Sequence, residues 1–136
     1  MNAFGEEVII DNSDNAIAIA SEKTGAIVND YTAAPLYFSD KSNGTHEWLI
    51  EFDTMPADIK QFTIELDSAL KNINSDYEAK RHKDIALRLP VIHAVPKGTF
   101  KEWLRRKGNL GGQHKVPRLS NERKVVEEVL AIINSG

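Results

Sequence analysis

Between Gly111 and Arg118 the chain reads Gly-Gly-Gln-His-Lys-Val-Pro-Arg, and no other stretch is as well equipped for chemistry. Two glycines let a ligand come close to backbone N–H groups, and Pro117 fixes one dihedral of the loop. Lys115 and Arg118 add an ammonium and a guanidinium. Such a loop suits phosphate or carboxylate oxygens. Basic Gly/Pro loops also occur on ordinary solvated surfaces, and composition alone leaves both readings open.

The other constellations point to structure more than to chemistry. Cysteine is absent, which rules out disulfides and thiolate metal sites. His46, His82, His93 and His114 have no short metal-ligand spacing, so no metal site is expected. Gly-x-Ser-x-Gly, Walker A and dinucleotide-binding patterns are missing. Glu6 with Glu7, and Glu127 with Glu128, read as solvated charges. His93 falls in an apolar run and is expected to be a hydrogen-bonded core histidine; His114 is either an exposed loop tip or a ligand contact. Trp48 and Trp103 are expected in the core, with base stacking by Trp103 as the rival reading. In Asn74–Arg81 a Ser75/Glu78 capping box explains the motif without any function and is the preferred reading, with a docking surface of Tyr77, Lys80 and Arg81 on one helix side as its rival.

At 136 residues with 41% hydrophobic content, residues 1–136 are expected to form one globular domain. The net charge of −3 conceals a division. Residues 1–70 hold 13 acidic and 3 basic side chains, whereas residues 71–136 hold 14 basic and 7 acidic ones. Positive charge concentrates in Lys97, Lys101, Arg105, Arg106, Lys107, Lys115, Arg118, Arg123 and Lys124, opposed there only by Glu102 and Glu122. Such a segment attracts polyanions, but a solvated helix surface looks the same in sequence. No apolar run is long enough for a membrane span and the N-terminus lacks a secretory pattern, so a soluble cytoplasmic protein is expected.

These residues need elements to position them. Val8-Ile9-Ile10 suggests a short strand. Ser13 resembles an N-cap, which with Gly25 as the closing residue predicts a helix over 14–24. Residues 26–33 read as a strand, followed by a polar turn from Ser39 to Gly44. Thr45–Asp53 alternates, with Trp48, Ile50 and Phe52 on one face, and predicts a strand with a single buried face. Pro56 suits a helix start, and Ile59, Phe62, Leu66, Ala69, Leu70 and Ile73 carry the helix to about Asn74. A second helix follows from the Ser75/Glu78 box. Pro90–Val95 is a short buried strand. The Thr99/Glu102 box opens a helix over 100–107, stopped by Gly108. Ser120 is expected to cap a last helix that turns Val125, Val126, Val129, Leu130 and Ile133 inward. Together these predict an α+β fold with three or four strands packed by helices.

Three segments in this order carry a family resemblance: Ile73–Arg81, Val95–Phe100 and Gln113–Arg118. They resemble the C-terminal domain of the auxin-responsive acyl-acid amido synthetases of the Gretchen Hagen type. The run Gly-Gly-Gln-His-Lys-Val-Pro-Arg-Leu-Ser-Asn looks closer to the bacterial branch, and the resemblance extends over essentially the whole chain. His114 and Val116 stand where the plant members have tyrosine and threonine, so roles for those two side chains do not carry over.

The resemblance implies a lid domain of the acyl-adenylate-forming superfamily. A carboxylate attacks ATP to give an acyl-adenylate and pyrophosphate, and an amine or amino acid then displaces AMP to form an amide. It implies a large N-terminal domain, absent from this chain, that holds ATP, Mg2+ and the acyl substrate. The small domain swings over it and brings a lysine to the phosphate. That lysine corresponds to Lys115, with Gln113 and Arg118 as further phosphate-binding candidates and Gly5 near the hinge. Met1 then reads as an added start, and the chain as a domain inactive by itself that binds no cofactor alone. Two rival readings, a nucleic-acid module and a protein-docking module, rest on the basic second half.

Overall fold

The computed structural model describes residues 8–38, 44–84, 86–108 and 115–135. Its elements are α1 (Ile10–Thr24), β1 (Ile27–Tyr37), β2 (Gly44–Thr54), α2 (Ile59–Ile73), α3 (Ser75–Arg81), a 3-10 turn (His82–Asp84), β3 (Val91–Val95), α4 (Thr99–Arg106) and α5 (Lys124–Ser135). The strands form one sheet in the order β1-β2-β3. β1 and β2 are antiparallel, with Ala33 opposite Trp48 and Thr32 opposite Leu49. β3 lies parallel to β2, pairing Leu49 with His93, and the crossover between them is made by α2 and α3. The expected α+β class and the helix–strand order are both present, with three strands.

The sheet lies between two helical layers, because β2 alternates its side chains between two apolar clusters. Trp48, Ile50 and Phe52 pack with Ala16, Ile17 and Ala20 of α1 and with Phe62, Leu66 and Leu70 of α2. Leu49 points the other way, toward Phe100 and Trp103 of α4 and Val126 and Val129 of α5. Each large apolar side chain removed from water contributes about 1.5–3 kcal/mol. The expected single buried face of β2 is therefore corrected: Gly44–Phe52 is buried throughout, since helices cover both sides.

Helix starts differ from expectation more than helix bodies. Val8-Ile9-Ile10 is no strand; α1 begins at Ile10, with Asn12 Oδ1 accepting from the Ile9 N–H at 3.3 Å. Ser13 is inside that helix, and its hydroxyl lies 2.9 Å from the Ile10 carbonyl and 2.7 Å from the Tyr31 hydroxyl. Pro56 precedes α2, which is capped by Asp58 accepting from the Lys60 N–H at 2.9 Å. For α3 the cap is Asn74, one residue before Ser75, accepting from the Tyr77 N–H at 2.9 Å. Thr99 is the first residue of α4 after Gly98, and its hydroxyl donates to the Pro96 carbonyl at 2.6 Å. α5 begins at Lys124, four residues beyond Ser120. Gly25 and Gly108 do close their helices, at φ 74° and 75°. Of the Ser39–Gly44 turn, only Gly44 is described, and it opens β2.

Candidate active site

β1 is an outer strand, and its free edge receives residues 115–120. The Ala33 N–H donates to the Arg118 carbonyl at 2.8 Å, and the Ser120 N–H donates to the Ala33 carbonyl at 3.0 Å. Ala33 and Leu119 thereby form a parallel bridge. Thr32 Oγ1 adds a bond to the Pro117 carbonyl at 2.6 Å. A proline fits here because the segment bonds through that carbonyl and needs no N–H from residue 117. Val116 is buried in the cluster that holds α4 and α5, and Leu119 packs on the opposite cluster. Lys115, at the head of this pinned segment, is exposed.

Arg118 is held by the elements beneath it. Its Nη1 donates to Asp14 Oδ2 at 3.0 Å, its Nε faces Asp30 Oδ1 at 3.9 Å, and its guanidinium lies 5.9 Å from the Tyr31 ring centre. The Tyr31 hydroxyl donates to Asp14 Oδ1 at 2.6 Å, so Asp14 is fixed on both oxygens. Burial, and then the bond to Asp14, push the Tyr31 hydroxyl well above its ordinary range, so it stays a donor. Burial also raises the Asp30 carboxyl, against the Tyr31 N–H bond and the pull of Arg118 and then Lys115. Lys115 is thus within electrostatic reach of Asp30. A groove of about 410 Å³ beside this cluster is lined by Asp14, Ile17, Val28, Tyr31 and Arg118 among others.

Two buried carboxylates brace the far side of the sheet. Glu47 accepts from Arg123 Nη2 at 2.6 Å and lies 2.7 Å from His93 Nε2. Burial alone would raise Glu47, yet the bonds from Arg123 and His93 hold it below the usual carboxylate range. Arg123 also donates to the Pro35 carbonyl at 2.9 Å, which anchors the approach to α5. Glu51 accepts from Asn29 Nδ2 and from the Phe100 N–H, the latter at 3.2 Å. It supplies the anionic cap that Gly98 cannot give α4.

The structure brings Lys115 and Arg118 together on the β1 edge. Gln113, His114, Gly5, Glu6 and Glu7 lie outside the described residues. Lengthwise spacing hides Asp14, Asp30 and Tyr31, which stand 84 or more positions from Lys115; nothing local in the sequence marks them. His93 is hydrogen-bonded as expected but its side chain is 42% exposed, because β3 is an outer strand. Trp48 and Trp103 are both core residues. Tyr77 and Arg81 are buried against Asp67, in line with the preferred structural reading of this motif and against the rival docking surface. Glu127 pairs with Arg123, while Glu128 accepts from Trp103 Nε1 at 3.0 Å and from Lys107. Of the nine cations between Lys97 and Lys124, Lys97, Arg105, Arg106, Lys107, Arg118 and Arg123 are in ion pairs. Most of the basic character that suggested a polyanion ligand is therefore answered within the domain. Among the described residues no group of three or more His, Asp or Glu could hold a metal ion, and no helix is long and apolar enough to cross a membrane.

Comparison with known proteins narrows the identity. The chain superposes on a solved "GH3.15 acyl acid amido synthetase" with a TM-score of 0.75 and 19% identity, covering 100% of this chain and 25% of that one. A second structure of such an enzyme, in complex with 2,4-DB, gives 0.71 and 17%, covering 94% of this chain and 24% of that one. The chain therefore spans about a quarter of the length of these structures, and at this identity they establish the shared fold. No curated protein matches it. The model of the GH3 family C-terminal domain matches residues 11–124. The chain belongs to the GH3 family, as its C-terminal domain.

Proposed function

We infer that this chain is the mobile C-terminal domain of an ATP-dependent acyl-acid amido synthetase of the bacterial branch. The observation that carries this reading is the family match over residues 11–124, taken with an exposed Lys115 heading a segment bonded to the β1 edge. On this reading a large N-terminal domain holds ATP and the acyl substrate. Mg2+ is bound there through the phosphates. The small domain turns about a hinge near Gly5, and the enzyme works in the cytoplasm.

Lys115 is the catalytic group of this half. In the first step a small carboxylic acid attacks the α-phosphorus of ATP, the P–O bond to pyrophosphate breaks, and negative charge builds on the oxygens around phosphorus. A compact ammonium on a flexible stem suits that charge. Gln113, two residues before it, is a phosphate-side residue on this reading. In the second step an amine or amino acid attacks the acyl carbon, and AMP leaves to give the amide. Lys115 without a nucleotide pocket has nothing to stabilise, so the isolated domain is inactive.

Pyrophosphate–ATP exchange, run over a panel of carboxylic acids, tests the reading. The polypeptide carrying this domain joined to its large domain should exchange label with at least one acid, and the 136-residue chain with none. Exchange by the chain alone, or none from the joined protein with any acid, would sink the proposal.

A further inference from the structure

Arg118 follows Lys115 by three residues, and both its side chain and its backbone are already engaged. The guanidinium takes Asp14 of α1 at 3.0 Å and faces Asp30 of β1 at 3.9 Å. Asp14 is itself oriented by the Tyr31 hydroxyl at 2.6 Å. The Arg118 carbonyl accepts from the Ala33 N–H at 2.8 Å. One residue thus ties α1, β1 and the 115–120 segment together.

We propose that Arg118 is a positioning residue for Lys115: the Asp14–Arg118–Asp30 clamp, backed by Tyr31, fixes the base from which the lysine projects toward the phosphate. The inference rests on the reading of Lys115 given above. Two observations favour positioning over direct contact with the nucleotide. A guanidinium shared between two carboxylates has much of its charge neutralised, which leaves little to offer an anion. The Arg118 carbonyl is also bonded to the Ala33 N–H, so the clamp sets the path of the backbone that leads to Lys115. Lysine has a long, rotamer-rich stem, and a fixed base narrows the volume its head explores. Displacement of a catalytic group by about 1 Å is enough to lower a rate on the order of 10²-fold.

The test compares Arg118→Gln, Arg118→Lys, Asp14→Asn, Lys115→Ala and the double variant Lys115→Ala/Arg118→Gln, by steady-state pyrophosphate release from the joined protein. Arg118→Gln and Asp14→Asn should lower kcat about 10- to 100-fold, with KM for the acid within about twofold of wild type. Arg118→Lys should recover part of the loss. The double variant should be no slower than Lys115→Ala, because Arg118 acts through that lysine. In the 136-residue chain, amide exchange at Ala33 and Ser120 should accelerate about tenfold or more in Arg118→Gln. Faster exchange with unchanged kcat, while Lys115→Ala is inactive, overturns the positioning role and leaves the Lys115 reading standing. Additive losses in the double variant overturn it as well. Wild-type kcat in Lys115→Ala removes the reading of Lys115 and the inference with it. If Arg118→Gln does not fold, Asp14→Asn carries the same comparison.

Discussion

Replacing Asp67 by alanine should cost about 3–5 kcal/mol, because it strands a buried guanidinium. Asp67 sits on α2 and receives Arg81 as a fork, Nε to Oδ1 at 2.7 Å and Nη2 to Oδ2 at 2.9 Å. The Tyr77 hydroxyl adds a bond to Oδ1 at 2.6 Å, and Lys71 stands 3.3 Å from Oδ2. Burial would raise this carboxyl, but the bonds from Arg81 and Tyr77 outweigh it and hold Asp67 below its ordinary value. After truncation, Arg81 keeps its bond from Nη1 to the Leu87 carbonyl at 3.1 Å, but Arg81 Nε, Arg81 Nη2 and the Tyr77 hydroxyl all lose their buried acceptor. For a domain of about 5–15 kcal/mol total stability, that is about a fifth of it or more. At a urea m-value of about 2 kcal/mol/M, a 4 kcal/mol loss moves the unfolding midpoint down by about 2 M. Asp67→Leu combined with Arg81→Met removes both charges and should cost far less, within about 1.5 kcal/mol of wild type. The exposed Lys23–Glu65 pair, at 3.6 Å, is the control and should contribute less than about 1 kcal/mol. Circular dichroism with urea reads all three. A loss below about 1 kcal/mol for Asp67→Ala, or a double variant as unstable as the single, would refute the reasoning.

Other perturbations probe other joints of the fold. Burial lowers the His46 imidazole to about 3, against about 6.5 in an unfolded chain. Between those values the unfolded chain binds a proton that the folded one refuses, so stability falls with falling pH by about 1.4 kcal/mol per unit. His46→Phe, stacked on Tyr77 in place of the imidazole, should flatten the stability–pH curve between about pH 4.5 and 6.5; an unaltered slope contradicts this. Glu51→Ala should cost about 1–3 kcal/mol and speed hydrogen exchange at the Phe100 amide, and protection equal to wild type there would remove the tertiary cap. Gly25→Ala should cost about 1 kcal/mol through backbone strain alone, since φ is +74° and no atom lies within 4 Å of an added Cβ. A neutral Gly25→Ala in thermal unfolding would mean the helix end had rearranged.

Element order and the long amphipathic α2 were legible in the sequence, because periodicity reports a helix against a core. The helix starts were less so. Ser13, Ser75, Thr99 and Ser120 all have cap-forming hydroxyls, but Asn74 and Gly98 stood one residue earlier and took the position. The hydroxyls of Ser13 and Thr99 went instead to carbonyl oxygens nearby. β2 looked half-exposed because Glu47 and Glu51 occupy one of its faces. Their burial depends on Arg123 and the α4 N-terminus, both far along the chain. The Tyr77–Arg81 motif left a surface reading open for the same reason, as its acceptor Asp67 reads as an ordinary polar position on α2. At the candidate site residues 115–118 lie outside helix and strand, as their types suggest, while Gly111–His114 lie outside the described residues. Asp14, Asp30 and Tyr31 were not legible, since only the folded sheet edge brings them beneath Arg118.

In the proposed function Lys115 delivers positive charge to the phosphate during adenylation. Its most direct test is single-turnover pyrophosphate release by the joined protein, comparing wild type with Lys115→Ala at saturating ATP and acid. Lys115→Ala should lower the adenylation rate on the order of 10²- to 10³-fold. Amide formation from a supplied acyl-adenylate should fall far less. An adenylation rate in Lys115→Ala equal to wild type would contradict it.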